Sequence, residues 1–197
     1  MSFRIEEKIL VTKYESIELI KIAKQNNFQI QYPKRKIHSI YFDNINYQSF
    51  NDSIEGSNPR KKIRIRHYPK QKKKIFFLEK KISSIEGRYK VSKKIDNKQK
   101  NSLINLGSTD NLYGYVYPVC EVSYYREYFN FNNLRLSYDS AIKYSDLKNN
   151  YILDTQEVIE IKSPLKVNED KIRSIFPYPR NRFSKYCRAL ELLNLNV

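Results

Sequence analysis

Two arginines that alternate with aliphatic residues carry the strongest chemical signal in this sequence. Arg64 and Arg66 alternate with Ile63 and Ile65, which is the spacing of a β-strand, where successive side chains point to opposite faces. One face would be aliphatic and able to build a core, while the other would carry guanidinium groups. Because a planar guanidinium makes forked hydrogen bonds to phosphate and carboxylate oxygens, the pattern predicts a strand that binds anions on its charged face.

The same alternation of charged and apolar residues recurs along the chain. In the next predicted strand, Phe76 and Leu78 alternate with Glu79 and Lys81. The acidic residues at such positions are Glu6, Glu79 and Glu160. The basic residues at such positions are Arg4, Lys8, Arg64, Arg66, Lys81, Arg88, Lys90, Arg126, Arg135 and Lys162.

Two arrangements of these strands are consistent with the pattern. In a flat sheet with helices on its apolar side, the charged groups would coat a solvated face. In a barrel closed on the charged face, the sheet would have no edges and the lumen would be polar. Since enclosed charges are costly unless they are paired, such a lumen needs a bound polyanion, and its glutamates would hold a divalent cation that bridges phosphates.

The composition favours a polyanionic partner. The chain has 197 residues, 37 Lys and Arg against 21 Asp and Glu, and a formal net charge of +16. This length suits one domain, residues 1–197, and this charge suits nucleic acid, anionic membrane, nucleotides or phosphate chains. Because RNP, helix-turn-helix and zinc-finger signatures are missing, we predict no specific nucleic-acid partner.

The cysteines and the N-terminal sequence narrow the class of protein further. Cys120 and Cys187 lie far apart and form no CxxC or Cys–His spacing, so a zinc site is not expected. The N-terminal sequence is charged and lacks an apolar signal region. No apolar run approaches the roughly 18 residues of a membrane-spanning helix, and we expect a cytoplasmic protein.

Hydrophobic periodicity predicts helices around the strands. Thr12 and Glu15 have the spacing of a capping box, so a helix should run from Lys13 to about Asn26 with one apolar stripe. Strand patterns outnumber helix patterns, which indicates a single α+β domain built on antiparallel strands. The other predicted helices are 96–106, 169–176 and an amphipathic helix after 183. The other predicted strands are 3–11, 37–43, a basic strand at 88–90, 118–129, 134–139 and 156–162.

Nine short motifs occur in an order that resembles a known family. They are EEK, YFD, RIR, FLEKK, RYK, SYYREYF, RLSYD, IEIK and FSKY, between Phe3 and Tyr186. This order is similar to that of the VTC domain (vacuolar transporter chaperone, polyphosphate polymerase domain), a branch of the triphosphate tunnel metalloenzymes. The resemblance implies an α+β fold with a closed antiparallel β-barrel, flanking helices and a basic tunnel. It also implies transfer of the γ-phosphate of ATP onto a polyphosphate chain, with Mn²⁺ or Mg²⁺ as cofactor.

The resemblance assigns roles to the residues at matching positions. It implies metal binding by Glu160, and metal or salt-bridge contacts by Glu6 and Glu79. It implies catalytic roles for Arg64, Arg66, Lys81, Arg126 and Lys185. The phosphate-binding set that it implies is Lys8, Arg64, Arg66, Lys81, Arg88, Lys90, Arg126, Arg135, Lys162, Ser184 and Lys185.

Three functions remain open at this point. The first is a polyphosphate polymerase, whose partners would be ATP and polyphosphate. The second is a triphosphatase, because tunnel relatives also hydrolyse inorganic tripolyphosphate or nucleoside triphosphates. The third is a module that binds polyphosphate or another polyanion without turnover. Since the eukaryotic complex of this family couples synthesis to membrane transport, a membrane partner protein is a further expectation for a chain that has no membrane segment of its own.

Overall fold

Ten strands and five helices make up the part of the chain that the computed structural model describes, residues 4–71, 73–131, 134–164 and 169–195. The strands are β1 (Arg4–Val11), β2 (Gln29–Asp43), β3 (Arg60–His67), β4 (Phe76–Ser84), β5 (Gly87–Ile95), β6 (Ser108–Asp110), β7 (Gly114–Phe131), β8 (Leu134–Ser145), β9 (Tyr151–Leu153) and β10 (Glu157–Pro164). The helices are α1 (Lys13–Gln25), α2 (Gln48–Glu55), α3 (Asn97–Leu106), α4 (Glu169–Ile175) and α5 (Lys185–Leu192).

The strands form one sheet, in which the pairs whose register is resolved are antiparallel. Its hydrogen-bonded order is β1-β10-β8-β7-β2-β3-β4-β5, with β6 on β7 and β9 on β8. Among the described strands, β1 and β5 end this order, so the sheet is not closed into a barrel. The α+β class with an antiparallel sheet and flanking helices is therefore confirmed, and the predicted closure is wrong. Alternating polarity predicts which side of a strand is apolar, but it carries no information on whether the terminal strands pair.

The chain divides into two compact units. Unit 1 comprises residues 1–35, 124–142 and 153–183, and unit 2 comprises residues 36–123, 143–152 and 184–197. The long strands β2, β7 and β8 contribute residues to both units. Each unit has a hydrophobic core of its own on one side of its strands.

In unit 1, helix α1 covers the apolar side of the strands. Leu19 and Ala23 of α1 are fully buried in a core that includes Ile9 of β1 and Ile159 of β10. The helix begins after Thr12, whose side chain and backbone form both halves of a capping box with Glu15, as predicted. Ile9 and Ile159 lie at opposite positions of the β1–β10 pair, so the charged residues between the aliphatics point away from this core.

In unit 2, the aliphatic residues of the predicted arginine strand build the core. Ile63 and Ile65 of β3 are buried with Phe42 of β2 and Phe76 of β4. Helix α3 begins after Asp96, which forms a capping box with Gln99, and Leu103 of α3 packs on the same cluster. The predicted separation of an aliphatic from a charged face is therefore confirmed for this strand.

Several elements differ from the predictions, and β2 and α2 are two of them. Strand β2 begins at Gln29 instead of Ile37, because an internal proline and a run of exposed residues, 29–34, obscured the extended pattern. A regular helix, α2, occupies residues 48–55, where the sequence patterns predict no regular helix. The carboxylate of Asp43 accepts hydrogen bonds from the backbone amides of Ser49 and Phe50, each at 3.0 Å, and so satisfies amides at the start of this helix.

Candidate functional site

Strands β3 to β5 of unit 2 carry a concentrated set of basic residues on the face opposite the core. The register pairs Lys62 with Lys81 and Lys81 with Lys90, and it pairs Arg64 with Glu79. We call this surface the cationic face. Its charged residues are Arg60, Lys62, Arg64 and Arg66 of β3, Glu79 and Lys81 of β4, and Arg88, Lys90 and Lys94 of β5. Within these three described strands, Glu79 is the sole carboxylate on that face.

Three cations converge on this one carboxylate. Oε2 of Glu79 lies 2.7 Å from Nη2 of Arg64 and 3.7 Å from Nη1 of Arg66, and Oε1 lies 2.9 Å from Nζ of Lys90. Glu79 is buried. Burial alone would raise the pKa of Glu79, but the charges of Arg64 and Arg66, with hydrogen bonds from Lys90 and Arg64, lower it to about 2. Since one negative charge cannot balance three positive ones, the cluster keeps a net positive charge that favours a bound anion.

An aromatic stack supports Arg64 from behind. Nη1 of Arg64 donates a hydrogen bond of 3.0 Å to the hydroxyl of Tyr41, and the Tyr41 ring stacks on Tyr186, with centroids 5.2 Å apart and planes 20° apart. The hydroxyl of Tyr186 donates a 2.5 Å hydrogen bond to Oδ2 of Asp43. Tyr41, Asp43 and Tyr186 are all buried. The guanidinium of Arg64 is therefore held from one side by Glu79 and from another by this stack.

The stack contains residues that the sequence did not mark as functional. Tyr41 and Asp43 belong to the YFD motif, and Tyr186 to the FSKY motif. Both motifs were part of the family resemblance, but neither spacing nor periodicity predicts that they meet. Burial raises the pKa of Asp43, although hydrogen bonds from Tyr186 and from the backbone amides of Ser49, Asn44 and Phe50 act in the opposite direction.

Tyr186 also anchors the helix whose start was predicted to bind an anion. Ser184 is the N-cap of α5, and its hydroxyl accepts a hydrogen bond of 3.4 Å from the backbone amide of Cys187. Lys185 is the first residue of the helix. Lys185 therefore lies in the first turn of α5, at the positive end of the helix dipole. A phosphate-binding role for Ser184 and Lys185 stays a prediction.

Unit 1 carries a second charged face with a different balance. Register pairs Lys8 with Glu160, Glu6 with Lys162 and Lys162 with Arg135. We call this surface the mixed face, because acidic and basic residues alternate across its strands. Its charged residues are Glu6 and Lys8 of β1, Arg126 of β7, Arg135 and Asp139 of β8, and Glu160 and Lys162 of β10.

The mixed face is held together by a chain of ion pairs. Arg126 makes a forked contact with Asp139, with nitrogen–oxygen distances of 2.5 and 2.6 Å, and its Nη2 lies 3.7 Å from Glu160. Nζ of Lys162 lies 3.2 Å from Glu160 and 3.5 Å from Glu6. Burial would lower the pKa of Arg126, but the carboxylate of Asp139 and further negative groups raise it well above its ordinary value. Arg126 is therefore a permanent cation paired with an almost fully buried acid that the sequence did not mark as functional.

The remaining predicted residues of the mixed face differ in their exposure. Arg135 is exposed, which leaves its guanidinium accessible to a ligand. Nζ of Lys8 donates a hydrogen bond of 2.6 Å to the carbonyl oxygen of Phe183. The phosphate-binding roles of Arg135 and Lys8 stay predictions. Both residues lie in unit 1, on the mixed face.

The three predicted metal ligands differ in how well they suit a cation. Among the residues that the structure describes, no group of three or more His, Cys, Asp or Glu side chains is arranged to hold a metal ion. Mg²⁺ often binds through one or two carboxylates completed by substrate phosphates and water, and Glu6 and Glu160 fit this mode because both contact the same ammonium group, that of Lys162. Glu79 fits it less well, since three cations already surround it.

Two further observations concern the cysteines and the helices. Cys120 and Cys187 are buried free thiols. No helix in the described ranges has both the length and the apolar composition needed to cross a bilayer.

Comparison with known families gives one match that covers nearly the whole chain. The model of the family described as the VTC domain matches residues 3–194, which includes both compact units. No curated protein matches this sequence.

Several solved structures have folds similar to that of this chain. A candidate adenylate cyclase from Bacillus halodurans has a TM-score of 0.62 and 14% identity over 93% of this chain and 94% of its own. The PH1819 protein of Pyrococcus horikoshii has a TM-score of 0.61 and 16% identity over 96% and 99%. The candidate adenylyl cyclase HpAC1 of Hippeastrum, which has a dominant triphosphatase activity, has a TM-score of 0.59 and 13% identity over 96% of each chain.

These likenesses concern the fold alone, since the identities are low. The family that the motifs resembled, the VTC domain, is confirmed by the match of its model over residues 3–194. Each structure is covered almost completely by this chain, and this chain by each structure.

Proposed function

This chain belongs to the VTC domain family, and we propose that it is a metal-dependent phosphotransferase that moves the γ-phosphate of ATP onto a polyphosphate chain and releases ADP. One observation carries the proposal: the cationic face of unit 2 has a single buried carboxylate, Glu79, among many basic side chains. A surface of this kind repels itself until a polyanion neutralises it. A phosphate chain supplies several negative charges at a spacing that successive strand residues can follow.

Arg64 and Arg66 are the residues that fit phosphate recognition best. Both guanidinium groups are largely buried, with 17% and 10% of their side chains exposed, and Arg64 is oriented by Glu79 and by the hydroxyl of Tyr41. A guanidinium that is held in place loses little side-chain entropy on binding and makes forked contacts to phosphate oxygens. Lys81, Arg88 and Lys90 would extend this binding surface along the neighbouring strands.

Phosphoryl transfer requires alignment and charge stabilisation more than covalent chemistry by the protein. An oxygen of the terminal phosphate of the acceptor attacks the γ-phosphorus, the bond to the bridging β–γ oxygen breaks, and its electron pair leaves with ADP. In unit 2, Arg64, Arg66, Lys81 and Lys185 would stabilise the charge that develops on the transferred group. In unit 1, Arg126 would have the corresponding role.

A divalent cation suits the mixed face. Glu6 and Glu160 supply the hard oxygen donors that Mg²⁺ and Mn²⁺ prefer, and Lys162 keeps the two carboxylates close together. When bound, such a cation offsets the negative charge of phosphate oxygens. Displacement of the Lys162 ammonium from the carboxylates would accompany its binding.

Hydrolysis of a triphosphate is the second candidate function. It is supported by the dominant triphosphatase activity of the Hippeastrum protein, which has a similar fold. The same cations would stabilise attack by water, so the identity of the acceptor separates the two functions.

Incubation of the protein with ATP and Mn²⁺ tests the proposal. We expect ADP together with a long, acid-labile phosphate polymer, and we expect EDTA to prevent both. Free phosphate without polymer would overturn the polymerase and support the triphosphatase. Tight, salt-dependent binding of polyphosphate without consumption of ATP would overturn both enzymatic functions and leave a binding module.

A further inference from the structure

A surface cavity in unit 1 adjoins the mixed face. Its volume is about 380 Å³, and it is lined by Gln31 and Tyr32 of β2, Asn130 of β7, Arg135 of β8, and Lys162 and Ser163 of β10. Arg135 and Lys162 belong to the predicted phosphate-binding set, whereas Gln31, Tyr32 and Asn130 have no role in it. The cavity therefore combines cations with groups that a phosphate chain alone does not need. Its volume is in the range of pockets that bind small organic ligands.

The aromatic wall of this cavity is fixed by stacked cations. The ring of Tyr32 is 42% exposed. The guanidinium of Arg35 lies 4.8 Å from the centroid of Tyr32 and 5.3 Å from that of Tyr128. The two tyrosine rings meet edge to face at 5.6 Å, and Arg126 lies 5.9 Å from the centroid of Tyr128. This ladder connects the ion pairs of the mixed face to a partly exposed aromatic ring at the cavity.

Two amide side chains face the same space. Within the described part of the chain, the side chains of Gln31 and Asn130 make no hydrogen bond. A carboxamide offers both donors and an acceptor, which is the combination that the edge of a nucleobase requires. An inorganic phosphate chain offers hydrogen-bond acceptors only, so the amide oxygens of Gln31 and Asn130 could accept no hydrogen bond from it.

We propose that this cavity binds the nucleoside part of a nucleoside triphosphate: the base stacks on Tyr32, Gln31 and Asn130 contact its polar edge, and Arg135 and Lys162 contact the adjoining phosphates. The inference rests on the proposed function, because it takes a triphosphate as the substrate. It deepens that function by separating recognition of the nucleoside, at Tyr32, from recognition of the phosphates. Stacking on an aromatic ring depends little on which base is present. The cavity would therefore favour ligands that carry a nucleobase without distinguishing one base from another.

Binding measurements with two ligands test the inference. Dissociation constants for ATP and for inorganic tripolyphosphate are measured by calorimetry for the complete chain and for Tyr32→Ala, Tyr32→Phe and Tyr14→Ala. Tyr14 is an exposed tyrosine on α1 of the same unit and serves as the matched control. Because loss of a stacking ring costs roughly tenfold or more in affinity, we expect Tyr32→Ala to weaken ATP binding about tenfold and to leave tripolyphosphate binding unchanged. Tyr32→Phe and Tyr14→Ala should bind both ligands like the unaltered chain.

The pattern of losses distinguishes failure of the inference from failure of the proposed function. Equal losses for both ligands in Tyr32→Ala would overturn the inference, because the ring would then act on the phosphates or on the fold. ATP binding that is unchanged in Tyr32→Ala, or tripolyphosphate binding without any ATP binding in the unaltered chain, would also overturn it while a triphosphate-binding function stands. If the unaltered chain binds neither ligand, the proposed function itself fails.

Discussion

Both charged faces result from the same alternation of charged and apolar residues along their strands, but they differ in how their positive charges are paired with carboxylates. On the mixed face, every acidic residue lies beside a cation, and the partly buried Arg126 has Asp139 as a forked partner. On the cationic face, Arg64, Arg66 and Lys90 share the single carboxylate of Glu79. The mixed face therefore offsets most of its own charge, whereas the cationic face keeps a large excess of positive charge that favours an anion from outside. This difference indicates that the ion pairs of the mixed face stabilise the fold more than the contacts of Arg64 on the cationic face do.

The largest expected effect concerns the stability provided by the mixed face. Replacement Arg126→Ala leaves Asp139 buried without its forked partner, and breaking such a pair costs about 3 kcal/mol in the free energy of unfolding. Arg64→Ala should cost only about 1 kcal/mol, because Glu79 keeps Arg66 and Lys90. Urea denaturation of both variants measures the two losses. Equal losses of unfolding free energy in the two variants would contradict the proposed difference in charge pairing between the two faces.

A second effect concerns ligand affinity on the cationic face. Arg64→Ala and Arg66→Ala should each weaken tripolyphosphate binding about a hundredfold, since each removes charge-assisted hydrogen bonds to phosphate. Isothermal titration calorimetry measures this, and Lys98→Ala, on the exposed side of α3, is the matched control. Circular dichroism should show that the variants remain folded. Unchanged affinity in both arginine variants would indicate that this strand does not contact the ligand.

A third effect is a dependence of stability on pH. The pKa of Glu79 is about 2 in the folded protein against an ordinary value of 4.5, so its carboxylate stabilises the fold above that ordinary value. This contribution is lost as the pH falls from 4.5 towards 2. Urea denaturation of the unaltered chain and Glu79→Gln, from about pH 6 to about pH 3, should give a difference in unfolding free energy that shrinks through this window. A difference that stays constant with pH would contradict the low pKa.

The sequence predicted local features well, because each depends on neighbouring residues. The capping box of Thr12 and Glu15 and the alternation of Ile63 to Arg66 involve interactions within a few positions, and both are confirmed. The assignment of charged residues to the face opposite the core follows from the same alternation. The family was predictable from the order of its motifs, since that order needs no knowledge of contacts.

The features that could not be predicted depend on distant pairs. Nothing in the spacing of residues states whether the first and last strands of a sheet pair, so the expected barrel closure was wrong. In the sequence, Asp139 stands out only as a member of a motif. Its contact with Arg126 could not be predicted, because it depends on how the strands that carry the two residues are aligned. The stack of Tyr41 on Tyr186 joins β2 to α5. The residue periodicity within either element would be the same without this contact, so periodicity cannot predict it.

The stack also sets the order in which this part of the protein is completed during synthesis. Tyr186 and Asp43 are separated by 143 positions, and the ribosome adds residues from the N-terminus at a limited rate. A nascent chain that already contains β2 to β5 has every residue of the cationic face but lacks the ring against which Tyr41 stacks. Arg64 thus acquires its full support only when α5 has left the exit tunnel and docked, which makes this helix the last part needed to assemble the face.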